Sequence, residues 1–132
     1  MAAAVAVAAL AVALTKTGAT SEPTYTAAQK AEARTQLCDQ YKLAVNAVKI
    51  ETHIPDNTAL ARASEINGAA ILELAAANPA LAGEYRSAAQ ELAIAFRTES
   101  ALGSLGSNDT GFQAAVDATN AKGTVMQELC GD

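Results

Sequence analysis

Apolar side chains recur at helical spacing along four stretches of the chain, and short breaks rich in Pro, Asn and Gly separate them. The first stretch opens at Thr26, where Thr26-Ala27-Ala28-Gln29 has the form of a capping box: the Thr26 hydroxyl and the Gln29 side chain satisfy each other's backbone N–H groups. Leu37, Tyr41, Ala44, Val45 and Val48 then make the main stripe, with Cys38 at its flank. A second apolar row, Leu43, Ala47, Ile50 and Ile54, lies roughly 100 to 140° round the helix. This helix therefore has two surfaces to cover, and the second row, if exposed, marks a contact with a partner or another copy. Pro55 stops it, while Asp56 and Asn57 supply the turn and the next N-cap.

The second helix is expected from Thr58 to Ala77, with Leu60, Ala63, Ser64, Ile71 and Leu74 on its inner face and Asn67 at the centre of that face. An amide among apolar neighbours must find partners; it either sets the register between helices or touches a ligand. Asn78 as cap and Pro79 as first residue open a third helix to Leu102, striped by Leu81, Tyr85, Ala88, Leu92, Ala95 and Phe96, with Glu84, Arg86, Glu91 and Arg97 on its other sides. Gly103 to Asn108 reads as a loop. The fourth helix, Asp109 to Cys130, aligns Phe112, Ala115, Val116, Thr119, Gly123, Met126 and Cys130, and Gly131 serves as its C-cap. Thr119 and Gly123 are small enough for a neighbour to approach closely and to accommodate Tyr41 or Tyr85. Residues 26–132 are thus expected to form an all-α, antiparallel up-down-up-down four-helix bundle.

Ahead of the bundle, Met1 to Leu14 is an unbroken run of Ala, Val and Leu after the initiating Met. Fourteen helical residues reach about 21 Å, short of the roughly 30 Å of a bilayer's hydrocarbon core. The run also lacks the basic start of a signal peptide, and Thr17-Gly18-Ala19 is a weak cleavage site. Residues 1–16 therefore read as a membrane anchor that begins inside a transmembrane helix, with a piece missing upstream; a cleaved signal segment and a buried alanine helix are the alternatives. Residues 17–25 then form the linker.

Composition narrows the functional classes. Of 132 residues 51% are apolar, but much of that is alanine, aromatics are 4% and Trp is absent, which suits helices around a thin core. A net charge of −5 with scattered basic residues argues against a nucleic-acid partner. Two cysteines, Cys38 and Cys130, read as one structural disulfide in an oxidising compartment, closing a loop around nearly the whole domain; two buried free thiols are the alternative.

Nothing in the pattern has the form of an active site. His53 is single and sits at a helix C-terminus, where a solvated imidazole suits the dipole. Glu51 and Asp56 beside it do not make a metal site, no serine has a histidine at helical spacing, and Gly103-x-x-Gly106 has neither the strand nor the lysine of a phosphate loop. No enzyme and no cofactor is expected. Tyr41, Tyr85, Phe96, Phe112 and Met126 are core, or else line a slot for an apolar ligand such as lipid or haem.

Thr24-Tyr25-Thr26-Ala27-Ala28, Leu37-Cys38-Asp39-Gln40-Tyr41-Lys42-Leu43-Ala44, Asn67-Gly68-Ala69-Ala70, Asn78-Pro79-Ala80-Leu81 and the closing Cys130-Gly131 resemble the alanine- and proline-rich single-pass membrane proteins of actinobacteria, chiefly mycobacteria. The resemblance implies a domain on the outer side of the cytoplasmic membrane, with no catalytic residue carried over. Together with the pattern it raises two expectations: a non-enzymatic interaction or structural module of the cell envelope, or a carrier of an apolar small molecule held between the helices. Secretion after cleavage is the alternative location.

Overall fold

The computed structural model describes residues 23–131. The apolar segment 1–16 and residues 17–22 of the linker lie outside the described residues. Four helices follow in order: α1 (Ala27–His53), α2 (Thr58–Ala76), α3 (Gly83–Gly103) and α4 (Thr110–Cys130). Among the described residues there is no strand, and no helix is long and apolar enough to cross a membrane.

Local chemistry starts and stops these helices as the sequence expects at most ends. Gln29 N–H donates to Thr26 Oγ1 at 3.2 Å and Thr26 N–H to Gln29 Oε1 at 2.9 Å, which completes the capping box of α1. Asp56 makes the turn after Pro55 in the left-handed region, φ 57°. At α4, Asp109 Oδ1 accepts from Gly111 N–H at 2.8 Å, and Gly131, φ 73°, closes the helix with its N–H on Gln127 O at 2.8 Å. The start of α3 differs from expectation: residues 79–82 are not helical. Asn78 Oδ1 accepts from Ala80 N–H at 3.0 Å and folds the segment into a turn. The Arg86 guanidinium then holds this turn, donating to Ala76 O, Asn78 O, Pro79 O and Leu81 O at 3.0 to 3.4 Å.

Each helix packs on the next and runs against it. Ala44 and Val48 of α1 flank Gly68 of α2, Glu73 of α2 pairs with Arg97 of α3, and Lys122 of α4 pairs with Glu91 of α3. The interior is thin: Leu37, Leu72, Leu92 and Met126 are its largest fully buried side chains, joined by Tyr41, Phe96 and many alanines.

Two expectations about packing are corrected. On α2 the buried face is Ser64, Glu65, Gly68, Ala69, Leu72 and Ala76, whereas Leu60 is 58% and Leu74 79% exposed, and Asn67 is exposed rather than central to the core. The physical reason is backbone approach. A Cβ at Gly68 would stand 3.4 Å from both Phe96 Cε2 and Val48 Cγ2, so α1 and α3 close on α2 where it is smallest; Leu72 joins that face, and Leu60 and Leu74 turn outward. The second correction concerns α1 and α4, which touch far less than the other neighbouring pairs. Their contacts gather at one end, where the Cys38 and Cys130 sulfurs stand 1.99 Å apart at disulfide distance, Arg34 Nη2 donates to Leu129 O at 3.3 Å and Tyr41 Oη donates to Gly123 O at 3.1 Å. Beyond that end a groove opens between them, walled by Val45 and Val48 of α1 and by Val116 and Thr119 of α4. Nothing lies within 4 Å of the position a Cβ would take at Gly123.

The disulfide spans 92 residues, so reduction should cost about 4–5 kcal/mol through the freed unfolded chain and lower the thermal midpoint by many degrees. Circular-dichroism melts with and without dithiothreitol measure it; an unchanged midpoint contradicts the structural role. At the α2 seam, Gly68→Ala should stay within about 1 kcal/mol of the parent, since its Cβ meets ordinary contact distances and gains helix propensity. Gly68→Leu should lose about 1–3 kcal/mol by overpacking against Phe96 and Val48. Urea titration of the two variants distinguishes these outcomes.

Candidate functional site

Two surfaces carry chemistry beyond holding the fold. The first lies along the α1–α2 seam. Leu43 is 57%, Ile50 63% and Ile54 48% exposed, and Ala47 between them is exposed as well. Gln36 and Gln40, two turns and one turn before Leu43 on the same side of α1, share a shallow hollow with Ile71, Leu74 and Ala75 of α2. The α1 row continues down from those glutamines, and the α2 row continues from Leu74 and Ile71 through Asn67 to Leu60. Both rows therefore border one seam. The charged residues of α2 do not interrupt it: Arg62 Nη1 donates to Ser104 Oγ at 3.3 Å, Glu73 pairs with Arg97 at 2.6 Å, and Glu65 is buried. What remains is an apolar face with the Asn67 amide in its midst, and on α1 the exposed Glu32 and Asp39, one turn before Gln36 and Leu43, border it with negative charge.

The second surface is the gap between α1 and α4. A groove of about 440 Å³ is walled by Tyr41, Val45, Val48 and Thr52 of α1, Phe96 and Glu99 of α3, and Val116, Thr119 and Gly123 of α4. It adjoins a hollow of about 520 Å³ under the α1–α2 turn, and Thr52 and Glu99 line both. Glu51, Ile54, Asp56, Arg62, Glu65, Gly103 and Phe112 complete that hollow. Asn57, expected to cap α2 with its side chain, instead donates its amide to Glu51 O and the Glu51 carboxylate, tying the turn to α1.

Glu65 is the least expected side chain here. It is 5% exposed, and its Oε2 finds no hydrogen-bond partner; Arg62 Nε is buried without one too. Burial, with the Glu99 carboxylate adding to it, raises the Glu65 pKa from 4.5 to about 7, against the opposing pull of Arg62 and a hydrogen bond with Ser100. The sequence carries a signal for it: Glu65 stands three, four and seven residues before Gly68, Ala69 and Leu72, on the same helical stripe. Only a reading that lets Gly and Ala define the buried face places Glu65 there.

The six residues expected as core or ligand lining do not converge. Tyr41 and Phe96 meet at the groove, Phe112 lies at the adjoining hollow, and Met126 is sealed in the core. Tyr85 sits toward the disulfide end, its hydroxyl donating to Leu129 O at 3.4 Å and its ring 5.2 Å beneath the Arg34 guanidinium. Asn67 is on the exposed face, since α2 turns one residue further round than the aliphatic stripe implies. An enclosed slot lined by Tyr41, Tyr85 and Met126 is therefore not formed. His53 is exposed at the groove's rim, with Nδ1 2.6 Å from Lys49 O. Among the described residues no group of three or more His, Cys, Asp or Glu is placed to hold a metal ion.

No family model, curated protein or solved structure matches this chain.

The raised Glu65 pKa sets a pH dependence of stability. The folded state holds this proton more tightly than the unfolded state, so stability is greatest below about pH 4.5, falls as pH rises toward about 7, and is flat in this respect above it. Glu65→Gln removes the ionisation and should stabilise the fold at pH 8 by up to about 3 kcal/mol while leaving it little changed at pH 4. Thermal melts of both proteins across this range check it; parallel pH profiles contradict it.

Proposed function

We propose that this chain is a non-enzymatic interaction module of the cell envelope: an up-down-up-down helical bundle held outside the cytoplasmic membrane by the apolar segment 1–16. The observation that carries the reading is the aliphatic α1–α2 face, with Leu43, Ile50, Leu60 and Leu74 all more than half exposed. An apolar stripe of this kind on a chain of net charge −5 is costly to leave in water and is suited to a partner. The partner it fits is a protein presenting the apolar side of an amphipathic helix, because two helical rows along one seam receive a third helix as in helix-in-groove recognition. Gln36, Gln40 and Asn67 supply amide donors and acceptors at the contact without adding charge. The disulfide suits an oxidising location outside the membrane, and the apolar N-terminal run and the resemblance to single-pass membrane proteins support tethering. The groove walled by Tyr41, Val48, Phe96 and Val116 favours a second reading, carriage of an apolar small molecule, though it is open along one side rather than enclosed.

Photocrosslinking groups at Ile50 and Leu74 test the docking face in the host membrane, with exposed Ser87 as control. The expected product is a discrete adduct, absent with Ser87, whose crosslinked peptide maps to an apolar helical segment of one protein. Leu43→Glu should abolish it while changing folding stability by no more than about 0.5 kcal/mol, since Leu43 supports no core contact. Adducts to a second copy of this chain, to lipid alone, or equally from all three positions contradict the reading.

A further inference from the structure

The hollow under the α1–α2 turn is acidic: Glu51, Asp56, Glu65 and Glu99 face it, with Arg62 as the opposing cation. Acidic side chains at a surface are ordinarily only solvated. Glu65 is not at the surface, being 5% exposed with Oε2 unpartnered. A buried acceptor without a donor costs about 1–3 kcal/mol, so this site lacks one hydrogen-bond donor. Its surroundings favour a donor that is also positive. Arg62 does not supply it: its Nη1 turns to Ser104 Oγ, and its Nε, though buried at the same hollow, makes no hydrogen bond to Glu65.

The form of the cation follows from the other walls. A hard metal ion takes six or more oxygens at roughly 2.3–2.6 Å, and the carboxyl groups here are not placed as a metal cluster. Ile54, Ala61 and Phe112 add apolar surface beside them. An ammonium group on a hydrocarbon chain satisfies both features. We propose that this hollow binds a primary alkylammonium ion, with Glu65 Oε2 accepting a hydrogen bond from the ammonium and Glu99 as its second counter-charge. The hydrocarbon chain lies along the adjoining groove, which shares Thr52 and Glu99 with the hollow and leads to Val48, Phe96 and Val116. A free amine and a lysine side chain of a peptide carry the same chemistry.

Binding requires Glu65 ionised, and ligand and proton therefore compete. The groups facing Glu65 are Arg62 on its own helix and Glu99 and Ser100 on α3, with Glu51 of α1 and Asp56 of the turn across the hollow; α4 contributes Phe112 and no charge. With its pKa near 7, affinity rises with pH.

Calorimetric titration of the full chain with hexylamine at pH 6 and pH 8 tests the proposal, with an acetylated, amidated lysine peptide in a parallel arm. Saturable binding of hexylamine, about tenfold tighter at pH 8 and accompanied by proton release at pH 7, is expected. Tighter binding of the peptide than of hexylamine assigns the site to a lysine of a partner; the reverse assigns it to a free amine. Glu65→Gln, whose melt verifies that it is folded, should lose binding at pH 8, while Leu43→Glu on the separate docking face should bind as the parent does. Absence of saturable binding of either probe at pH 8, affinity independent of pH, or equal binding by Glu65→Gln overturns the proposal.

Discussion

The link between Cys38 and Cys130 is the constraint on which the rest of the architecture depends. The consecutive helix pairs touch far more than α1 and α4 do, and the sulfurs, the Arg34 bond to Leu129 O and the Tyr41 bond to Gly123 O bring those two together at one end. A covalent tie at that one end restricts how far the first and last helices can separate, while the other end stays open. The groove and the acidic hollow are consequences of this asymmetry: one end closed by a bond, the other walled by helices that do not meet.

Small residues determine the opposite side of the molecule. Where α2 presents Gly68, Ala69 and Ala76, its neighbours approach until Phe96 and Val48 stand at contact distance from the missing Cβ. Close approach of backbones replaces bulk as the source of dispersion contact, which is how a chain without Trp and with few aromatics assembles an interior. The same geometry decides what faces outward. Once α2 is oriented by its smallest positions, Leu60 and Leu74 have nowhere to go but the surface, where they join Leu43, Ile50 and Ile54 of α1.

That orientation also carries Glu65 inward, beside Ser100 and against the repulsion of Glu99. A carboxyl group with an unpartnered oxygen is a local cost within a thin core, tolerated at the end of the fold where the helices already diverge. The proposed roles divide accordingly. The exposed aliphatic seam of α1 and α2 is suited to another helix, and the acidic hollow at the open end is suited to a small cation.

By itself the sequence determined the local order of the chain. Capping at Thr26, the break at Pro55, the closing Gly131 and four apolar periodicities depend on interactions within a few residues, and each is visible in a linear reading. The exposed row of α1 was legible for the same reason: two stripes on one helix cannot both face the same core. Orientation of α2 was not legible, because periodicity weighted by bulk points to Leu60, Ile71 and Leu74, whereas the buried face is chosen by how closely neighbouring backbones can approach. Asn67 was therefore placed inside and Glu65 passed over, although they stand only two residues apart. The non-helical turn before α3 depends on Arg86 reaching back to four carbonyls, and the α1–α4 gap depends on what three helices leave uncovered. Both are properties of packing in three dimensions, and only the tertiary structure decided them.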